Sequence, residues 1–313
     1  MNFQQLRYAR EAVRQGLNLS QAAEALFTSQ PGISKQIKEL ESELGVQIFV
    51  RRGKRLVALT EPGKAAVQII ERILQEAENL KAVANEFIAQ DSGTLTIATT
   101  HTQARYSLPR VVTEFKRRYP KVHLALQQGN PMQIGEMVSS GAADIGIATE
   151  ALNSFSRLLA LPGYNWNHVV VVPHGHALLD APRITLEMLA RFPIVTYDRA
   201  FAGRANIDAA FAAKSLQPDI VLAAIDADVI KTYAESGLGI GIVASVAFDP
   251  ERDRGLKMID AAHLFRTNTT RVAIRRDAFL RAYAYEFIEL FAPALTRRAV
   301  EAAMKGGSED YEL

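Results

Sequence analysis

Through the first sixty residues the apolar positions recur at helical intervals. Phe3, Leu6, Ala9 and Val13 fall on one helix face, and Gly16 closes the segment. Ser20 stands where an N-cap is expected, and Ala22, Ala23 and Leu26 give an apolar face to a second helix over residues 21–27. A third helix is predicted to open near Pro31, a favoured first-turn residue, and to run to Leu44, where Gly45 stops it. Its inner stripe reads Ile33, Ile37, Leu40 and Leu44. Apolar runs at 48–50 and 56–59 flank Arg51-Arg52-Gly53-Lys54-Arg55, which predicts a β-hairpin with a cationic tip. From Thr60, placed as a cap, a helix is predicted over about 61–89, with Val67, Ile70, Leu74, Leu80 and Phe87 among its apolar positions. One stripe on so long a helix cannot be buried alone, so a dimerising linker helix is expected.

At Asp91-Ser92-Gly93 the period changes to strand–helix alternation. Strands are predicted at 94–99, 122–127 and 145–148, with helices at 108–119 and 132–140, a βαβαβ rhythm that implies a parallel sheet between helices. Strands at 169–172, 194–197, 220–224, 240–243 and 269–274 repeat it, and helices at 279–291 and 294–304 follow. The fold class is therefore α/β behind an all-α winged helix-turn-helix. The domains expected are 1–60 (winged helix-turn-helix), 61–90 (linker helix), and 91–305, an effector-type domain of two Rossmann-like lobes. Lobe 1 would comprise about 91–163 and 266–305 and lobe 2 about 164–265, with the chain crossing near Gly163 and Phe265. Residues 306–313 form a polar tail.

Composition narrows this little further. With 313 residues, 48% of them hydrophobic, the chain can fill more than one core. A formal net charge of +2 does not announce a nucleic-acid binder, so the distribution of charge has to decide. There is no cysteine, which excludes disulfides, thiolate metal sites and thiol nucleophiles. The start of the chain has no apolar h-region, and no run is long enough to span a bilayer, so a cytoplasmic protein is expected.

Residues 20–44 read as two short helices separated by Thr28-Ser29-Gln30, the spacing of a helix-turn-helix whose second helix enters the major groove. Its start and outward face, Ser29, Gln30, Pro31, Ser34, Lys35 and Lys38, would meet base edges and phosphates, and Arg51, Arg52 and Lys54 would grip the flanking backbone. A solvated, charged helix in a structural bundle would show the same pattern, and helix geometry alone leaves both readings open.

The run Ser29-Gln30-Pro31-Gly32-Ile33-Ser34-Lys35-Gln36-Ile37-Lys38-Glu39-Leu40-Glu41 resembles the recognition-helix signature of LysR-type transcription regulators. Leu44-Gly45, Phe49, Arg51 and Leu59-Thr60-Glu61-Pro62-Gly63 continue the signature in register, and the resemblance extends to about residue 300. It implies a regulator rather than an enzyme: a winged helix-turn-helix, a linker-helix dimer, and a homotetramer, as a dimer of dimers, on double-stranded promoter DNA. It also implies contact with RNA polymerase and a periplasmic-binding-protein-like effector domain.

Within that family the chain is similar to the CysB/Cbl-like sulfur-assimilation subfamily, on Arg51 to Arg55, Thr60 to Lys64 and Thr99-Thr100-His101-Thr102-Gln103-Ala104-Arg105-Tyr106. The similarity implies control of sulfur-assimilation and cysteine-biosynthesis genes by a small anionic effector: sulfate, O- or N-acetylserine, or adenosine phosphosulfate. Regulation of sulfonate utilisation, or of another pathway, is the alternative. Thr100, His101, Thr102 and Gln103 follow the first α/β strand, at the carboxyl edge of the sheet where ligands bind. Backbone N–H groups at the next helix start, with the Thr100, Thr102 and Gln103 side chains, would bind a small oxyanion. Thr149 lies on the same edge, and His101 either faces the pocket or satisfies a turn. Taken without the resemblance, the stretch is a polar strand-to-helix connection with an N-cap threonine. The subfamily places another hydroxyl residue ahead of a Gly-Arg pair on the opposite lobe. Here the stretch is Phe201-Ala202-Gly203-Arg204, and Ala202 supplies no hydroxyl, leaving the Gly203 backbone and the Arg204 guanidinium as donors.

Other signals carry less. Gly237-Leu238-Gly239-Ile240-Gly241 follows a helix and precedes a strand, the reverse of a dinucleotide loop, and reads as a close-packed turn between lobes. His174 and His176 lack a third ligand, so no metal and no cofactor beyond the effector is expected. Asp226 and Asp228 suit a helix N-terminus, and bordering the cleft is the second reading. A solute-binding protein without a DNA role would share the α/β half but leaves the first ninety residues unexplained. An enzyme finds no nucleophile–base pair in the sequence.

Overall fold

The computed structural model describes residues 1–53, 55–88 and 91–306, which form two compact units, one ending at Ile88 and one beginning after it. In the first unit, α1 (Phe3–Arg14), α2 (Leu19–Ala25) and α3 (Gln30–Leu44) precede a two-stranded antiparallel hairpin, β1 (Phe49–Arg52) and β2 (Arg55–Leu59). The hairpin leads into α4 (Glu61–Ile88). Leu6, Ala9, Ala22, Ile33, Ile37, Leu40, Phe49 and Leu56 share one core with Val67, Ile70 and Leu74 of α4. The front half of the long helix is thus part of the unit that carries the hairpin.

Several local expectations change. Asn18, not Ser20, caps α2, and its side chain accepts from the Ser20 and Gln21 amides. Phe27, expected inside α2, lies in the following turn at φ 50°, 99% exposed. Leu44 is not part of the inner stripe of α3, being 41% exposed; the buried residue near that end is Glu41. Ser29 caps α3 by accepting from the Gly32 amide, and Gly45 ends it in the left-handed region. Thr60 caps α4 through the Gly63 amide. Gly63 has no room for a side chain, because a Cβ would stand 2.0 Å from the Ile48 carbonyl oxygen.

The second unit holds two five-stranded sheets. In lobe 1, β3 (Ser92–Thr99), a π-helical turn (Gln103–Ser107), α5 (Leu108–Arg118), β4 (Lys121–Gln128), α6 (Pro131–Ser140) and β5 (Ile145–Ala148) come first, and β6 (Leu158–Trp166) ends the first pass. Lobe 2 contains β7 (His168–Pro173), α7 (Leu186–Leu189), β8 (Ile194–Tyr197), α8 (Ala202–Ala213), β9 (Ile220–Ala224), α9 (Ala227–Glu235), β10 (Ile240–Ala244) and β11 (Leu256–Asp260). The chain returns to lobe 1 through β12 (Asn268–Arg275), α10 (Ala282–Phe291) and α11 (Arg297–Met304).

The sheets are mixed, not parallel. Lobe 1 runs β4-β3-β5-β12-β6, with β12 antiparallel to both neighbours. Lobe 2 runs β11-β7-β10-β8-β9, with β7 antiparallel to β10 and β11. The reason is connectivity: a strand that enters from the other lobe arrives head to tail with strands built by right-handed crossovers. The first crossing falls between Trp166 and His168 and the second just ahead of Asn268, beyond the positions read from sequence. The turn after Gly237 joins α9 to β10 inside lobe 2, not between lobes, and Gly239 packs on the Pro193 backbone.

Candidate DNA interface and effector cleft

On the first unit, Gln30, Pro31, Ser34, Lys35, Lys38 and Arg51 border one open depression of about 570 Å³. The α-helical period brings the first five to one face of α3, and the hairpin supplies Arg51. Lys35 is exposed, with only an i,i+4 contact of 3.8 Å to Glu39, and Arg52 is exposed on the hairpin. Lys54 lies outside the described residues. Arg51 differs from the other cations. Its Nη2 donates to Glu41 Oε2 at 3.1 Å, while Glu41 Oε1 accepts from the Ile48 and Phe49 amides at 2.9 and 3.0 Å. Glu41 is 2% exposed, so this carboxylate fastens the hairpin to α3, and Arg51 compensates its charge. A second groove, lined by Phe3, Tyr8, Ile69, Ile73, Ala77 and Leu80, runs along α1 and α4.

In the second unit the carboxyl ends of β3, β5, β8 and β10 meet around a cavity of about 40 Å³. Thr100, Thr102, Gln103 and Thr149 line it from lobe 1, with Pro131 and Trp166; Tyr197, Phe201, Gly203 and Ala244 line it from lobe 2. Thr100 is the N-cap of the helix that begins at His101, its Oγ1 accepting from the Gln103 amide at 3.5 Å. The Gln103 amide is held by lobe 1: Tyr164 Oη donates to its Oε1 at 2.6 Å, and its Nε2 donates to Thr270 Oγ1 at 3.1 Å. One Nε2 hydrogen remains for a ligand. Thr149 Oγ1 and Trp166 Nε1 are buried there without a hydrogen-bond partner. Buried polar atoms are rarely left so, and each costs about 1–3 kcal/mol.

Across the cavity α8 begins at Ala202, and no side chain caps it. A Cβ on Gly203 would stand 2.9 Å from His168 Nε2 and 3.2 Å from the Trp166 ring. Glycine at this position lets the helix start close over both rings. Burial pushes His168 down to about 4, so the ring is neutral. Burial pushes the Tyr197 phenol up to about 12, and its oxygen accepts from the Ala244 amide. Each lining side chain is therefore uncharged.

Two expected ligand groups are placed differently. Arg204 is buried, but Nε donates to Asp208 at 2.6 Å and Nη1 to the Tyr197 carbonyl at 2.8 Å, so its guanidinium braces the helix rather than facing the cavity. His101 is not part of the lining. Its ring nitrogen lies with the Asp226 and Asp228 carboxylates in a group whose atoms fall within 4.8 Å of one another. Asp226 caps α9 through the Val229 amide, and Asp228 is met by Arg105 at 2.5 Å, so that carboxylate is already neutralised. His174 bonds the Arg254 carbonyl and His176 accepts from the Leu178 amide, so both serve turns. Trp166, Tyr197 and Ala244 were missed, although the sheet-edge rule that picked Thr149 also points to Tyr197 and Ala244, which end strands.

Residues 3–64 match the family model "Bacterial regulatory helix-turn-helix protein, lysR family", and residues 89–296 match "LysR substrate binding domain". The chain belongs to the LysR family. It is a DNA-binding transcriptional regulator, not an enzyme. The chain is 58% identical over 313 residues to the HTH-type transcriptional regulator CysB of Burkholderia cenocepacia, covering all of both chains. It is also 58% identical over 305 residues to SsuR of the same organism, covering 97% of this chain and 99% of that one. Among solved structures, the cofactor-binding domain of the Cbl transcriptional regulator superposes with a TM-score of 0.66 at 45% identity, covering 68% of this chain and 93% of that one. Among the described residues no helix is long and apolar enough to cross a membrane.

Proposed function

We propose that this regulator controls sulfur-assimilation and cysteine-biosynthesis genes from the cytoplasm, and that a small oxyanion bound between its lobes sets its activity. The observation that carries the reading is the narrow cavity between the lobes with the unpartnered Thr149 Oγ1 and Trp166 Nε1, opposite an uncapped helix start. Hydroxyl, amide and indole donors around a helix N-terminus suit an anion that needs no counter-ion. About 40 Å³ holds little more than one compact tetrahedral group. That favours sulfate, or the sulfate end of adenosine phosphosulfate, over O- or N-acetylserine in the closed state. Regulation of sulfonate utilisation is the alternative, favoured by the resemblance to Cbl.

On the first unit, Gln30, Ser34, Lys35 and Lys38 would contact the major groove of promoter DNA, with Arg52 and Lys54 on the flanking backbone. The apolar groove along α1 and α4, with Ile69 and Leu80 exposed, suits a second copy of the chain. Dimers would pair into a homotetramer, and an effector that binds one lobe arrangement better would shift the geometry of the assembly presented to RNA polymerase.

The test follows the unfolding temperature of the full chain with sulfate, thiosulfate, adenosine phosphosulfate, both acetylserines, phosphate and a sugar. A ligand at a hundred times its Kd adds about 2.7 kcal/mol of stability. Stabilisation by sulfur oxyanions, lost in Thr102→Ala, is the expected result. Indifference to all of them overturns the sulfur reading and leaves the DNA-binding role standing.

A further inference from the structure

Three residues beyond Gln103, the same helix reaches across to lobe 2. The turn over Gln103–Ser107 is π-helical, and π-turns inside α-helices concentrate at functional sites. Its Tyr106 ring packs against the lobe 2 core with Phe201 and Leu222. The phenol sits between opposite charges: Oη donates to Asp228 Oδ1 at 2.5 Å and accepts from Lys231 Nζ at 2.9 Å. Lys231 is 6% exposed, and it also donates to Asp253 at 2.9 Å and to the Ala247 carbonyl at 2.8 Å. Burial alone would lower this ammonium, but hydrogen bonds to Asp253 and Tyr106 outweigh it and hold it above its ordinary value. Arg105 Nε adds an outer bond to Asp228 at 2.5 Å. Two neighbouring lobe 1 side chains, Tyr106 and Arg105, thus meet charged groups of lobe 2, and only the Tyr106 hydroxyl reaches the buried Lys231.

The cavity next to it is narrow, and of its lining only Thr102 and Phe201 are partly exposed. Thr100, Gln103, Thr149, Trp166, Tyr197 and Ala244 are buried, so the spacing of the lobes sets how readily an oxyanion reaches the donors beneath. Parting the lobes requires withdrawing the Tyr106 hydroxyl from Lys231 and Asp228. Charge-assisted hydrogen bonds are the stronger kind, and they are short-ranged, so such a contact holds until it breaks.

We propose that Tyr106 and Lys231 form a clasp that keeps the effector cleft shut and sets the rate at which effector is exchanged. Both are positioning residues: they act on the cleft through lobe spacing and do not touch the ligand. The proposal rests on the cleft being the effector site. The clasp favours the closed form with or without ligand, so it slows entry and exit together and changes affinity little.

Trp166 is the sole tryptophan of the chain and lines the cavity, which makes its fluorescence a reporter of occupancy. Full-length protein would be mixed with sulfate in a stopped-flow instrument over a range of concentrations. In the wild type the observed rate should level off at the rate of cleft opening. Tyr106→Phe, which keeps the ring and removes the hydroxyl, should raise that plateau about tenfold and leave Kd within about threefold. Lys231→Met should act in the same direction, and the double variant should exceed the faster single variant by less than about twofold, because both break one clasp. A wild-type rate that rises with no plateau overturns the proposal, as does a plateau unmoved in Tyr106→Phe. A Tyr106→Phe variant that dissociates faster but associates at the wild-type rate also overturns it. If Lys231→Met does not fold, Tyr106→Phe carries the test. Wild-type fluorescence indifferent to sulfate and to adenosine phosphosulfate would instead refute the effector reading. Amide hydrogen exchange of the ligand-free protein then decides the clasp. Exchange about tenfold faster at residues 100–107 and 227–235 in Tyr106→Phe supports it, and unchanged exchange overturns it.

Discussion

On the outer face of α3 the polar groups stand in water: Lys35 is 76% exposed and Lys38 is exposed, as is Arg52 on the hairpin. In the cleft, Thr100, Gln103, Thr149 and Trp166 are buried, and no lining side chain carries a charge. Both surfaces suit anions, but different ones. A duplex presents a long array of phosphates, and full charges in solvent attract it from a distance at the expense of strong salt dependence. A single small anion enclosed in protein gains from short-range dipoles, and neutral donors avoid the cost of burying a lysine or arginine for a site that stands empty part of the time. Among the described residues the two buried cations are tied down, Arg204 by Asp208 and Lys231 by Asp253, and the half-buried Arg51 is held by Glu41.

That contrast can be broken most severely at Glu41. If the DNA face were only a charged surface, a buried change behind it would be silent. Instead Glu41→Ala should cost about 3–5 kcal/mol, because it strands two buried amides and Arg51. Urea unfolding of the full chain would show this as an early transition, accompanied by lost DNA binding. Next in size is a pH effect at His168, which packs against Gly203 behind the cleft wall. His168 has a folded-state pKa of about 4, below its ordinary 6.5, so the unfolded chain takes up the proton first. Its contribution is present above pH 6.5 and is lost as pH falls towards 4, by up to about 3 kcal/mol. The melting temperature should drop over that window, less steeply in His168→Asn.

Thr149→Val sharpens the comparison from inside the cleft. It removes an unpartnered hydroxyl, so the empty protein should be unchanged or slightly more stable, while oxyanion affinity falls about tenfold by calorimetry. The smallest effect separates the two surfaces by salt. Lys35→Ala should weaken DNA binding by about 1 kcal/mol and reduce the salt slope by about one, as read by fluorescence anisotropy. Effector affinity should stay within about twofold over the same potassium chloride range.

The helices of the first unit and the parallel strands were legible in the sequence because periodicity and caps report them directly. β6 was not legible. It contains Pro162, which donates no ladder bond, and its register shifts where Thr270 faces Tyr164 and Arg271 faces Pro162, leaving Gly163 between them. β11 is a five-residue edge strand with two charged residues, too short to show an alternation. Missing β6 hid Trp166, which ends it. Thr100, Gln103 and Thr149 were readable because they follow β3 and β5 at the sheet edge. Glu41 and Arg204 were beyond sequence reasoning for a common reason: a buried charge is explained only by partners that the tertiary fold brings to it. Asn18 and Ser20 are equally able caps, and only the backbone path after Leu17, at φ 69°, selects Asn18.

The position of β12 bears on how the chain is born. It lies between β5 and β6, so the lobe 1 sheet is split until residue 275 has left the ribosome. Lobe 2, by contrast, is one uninterrupted segment from His168 to Asp260 and can complete its sheet first. During that interval β5 and β6 each expose an unpaired edge, and a nascent chain halted before β12 carries two templates for intermolecular pairing. Premature stops just upstream of residue 268 should therefore yield insoluble protein with a protease-resistant lobe 2 fragment.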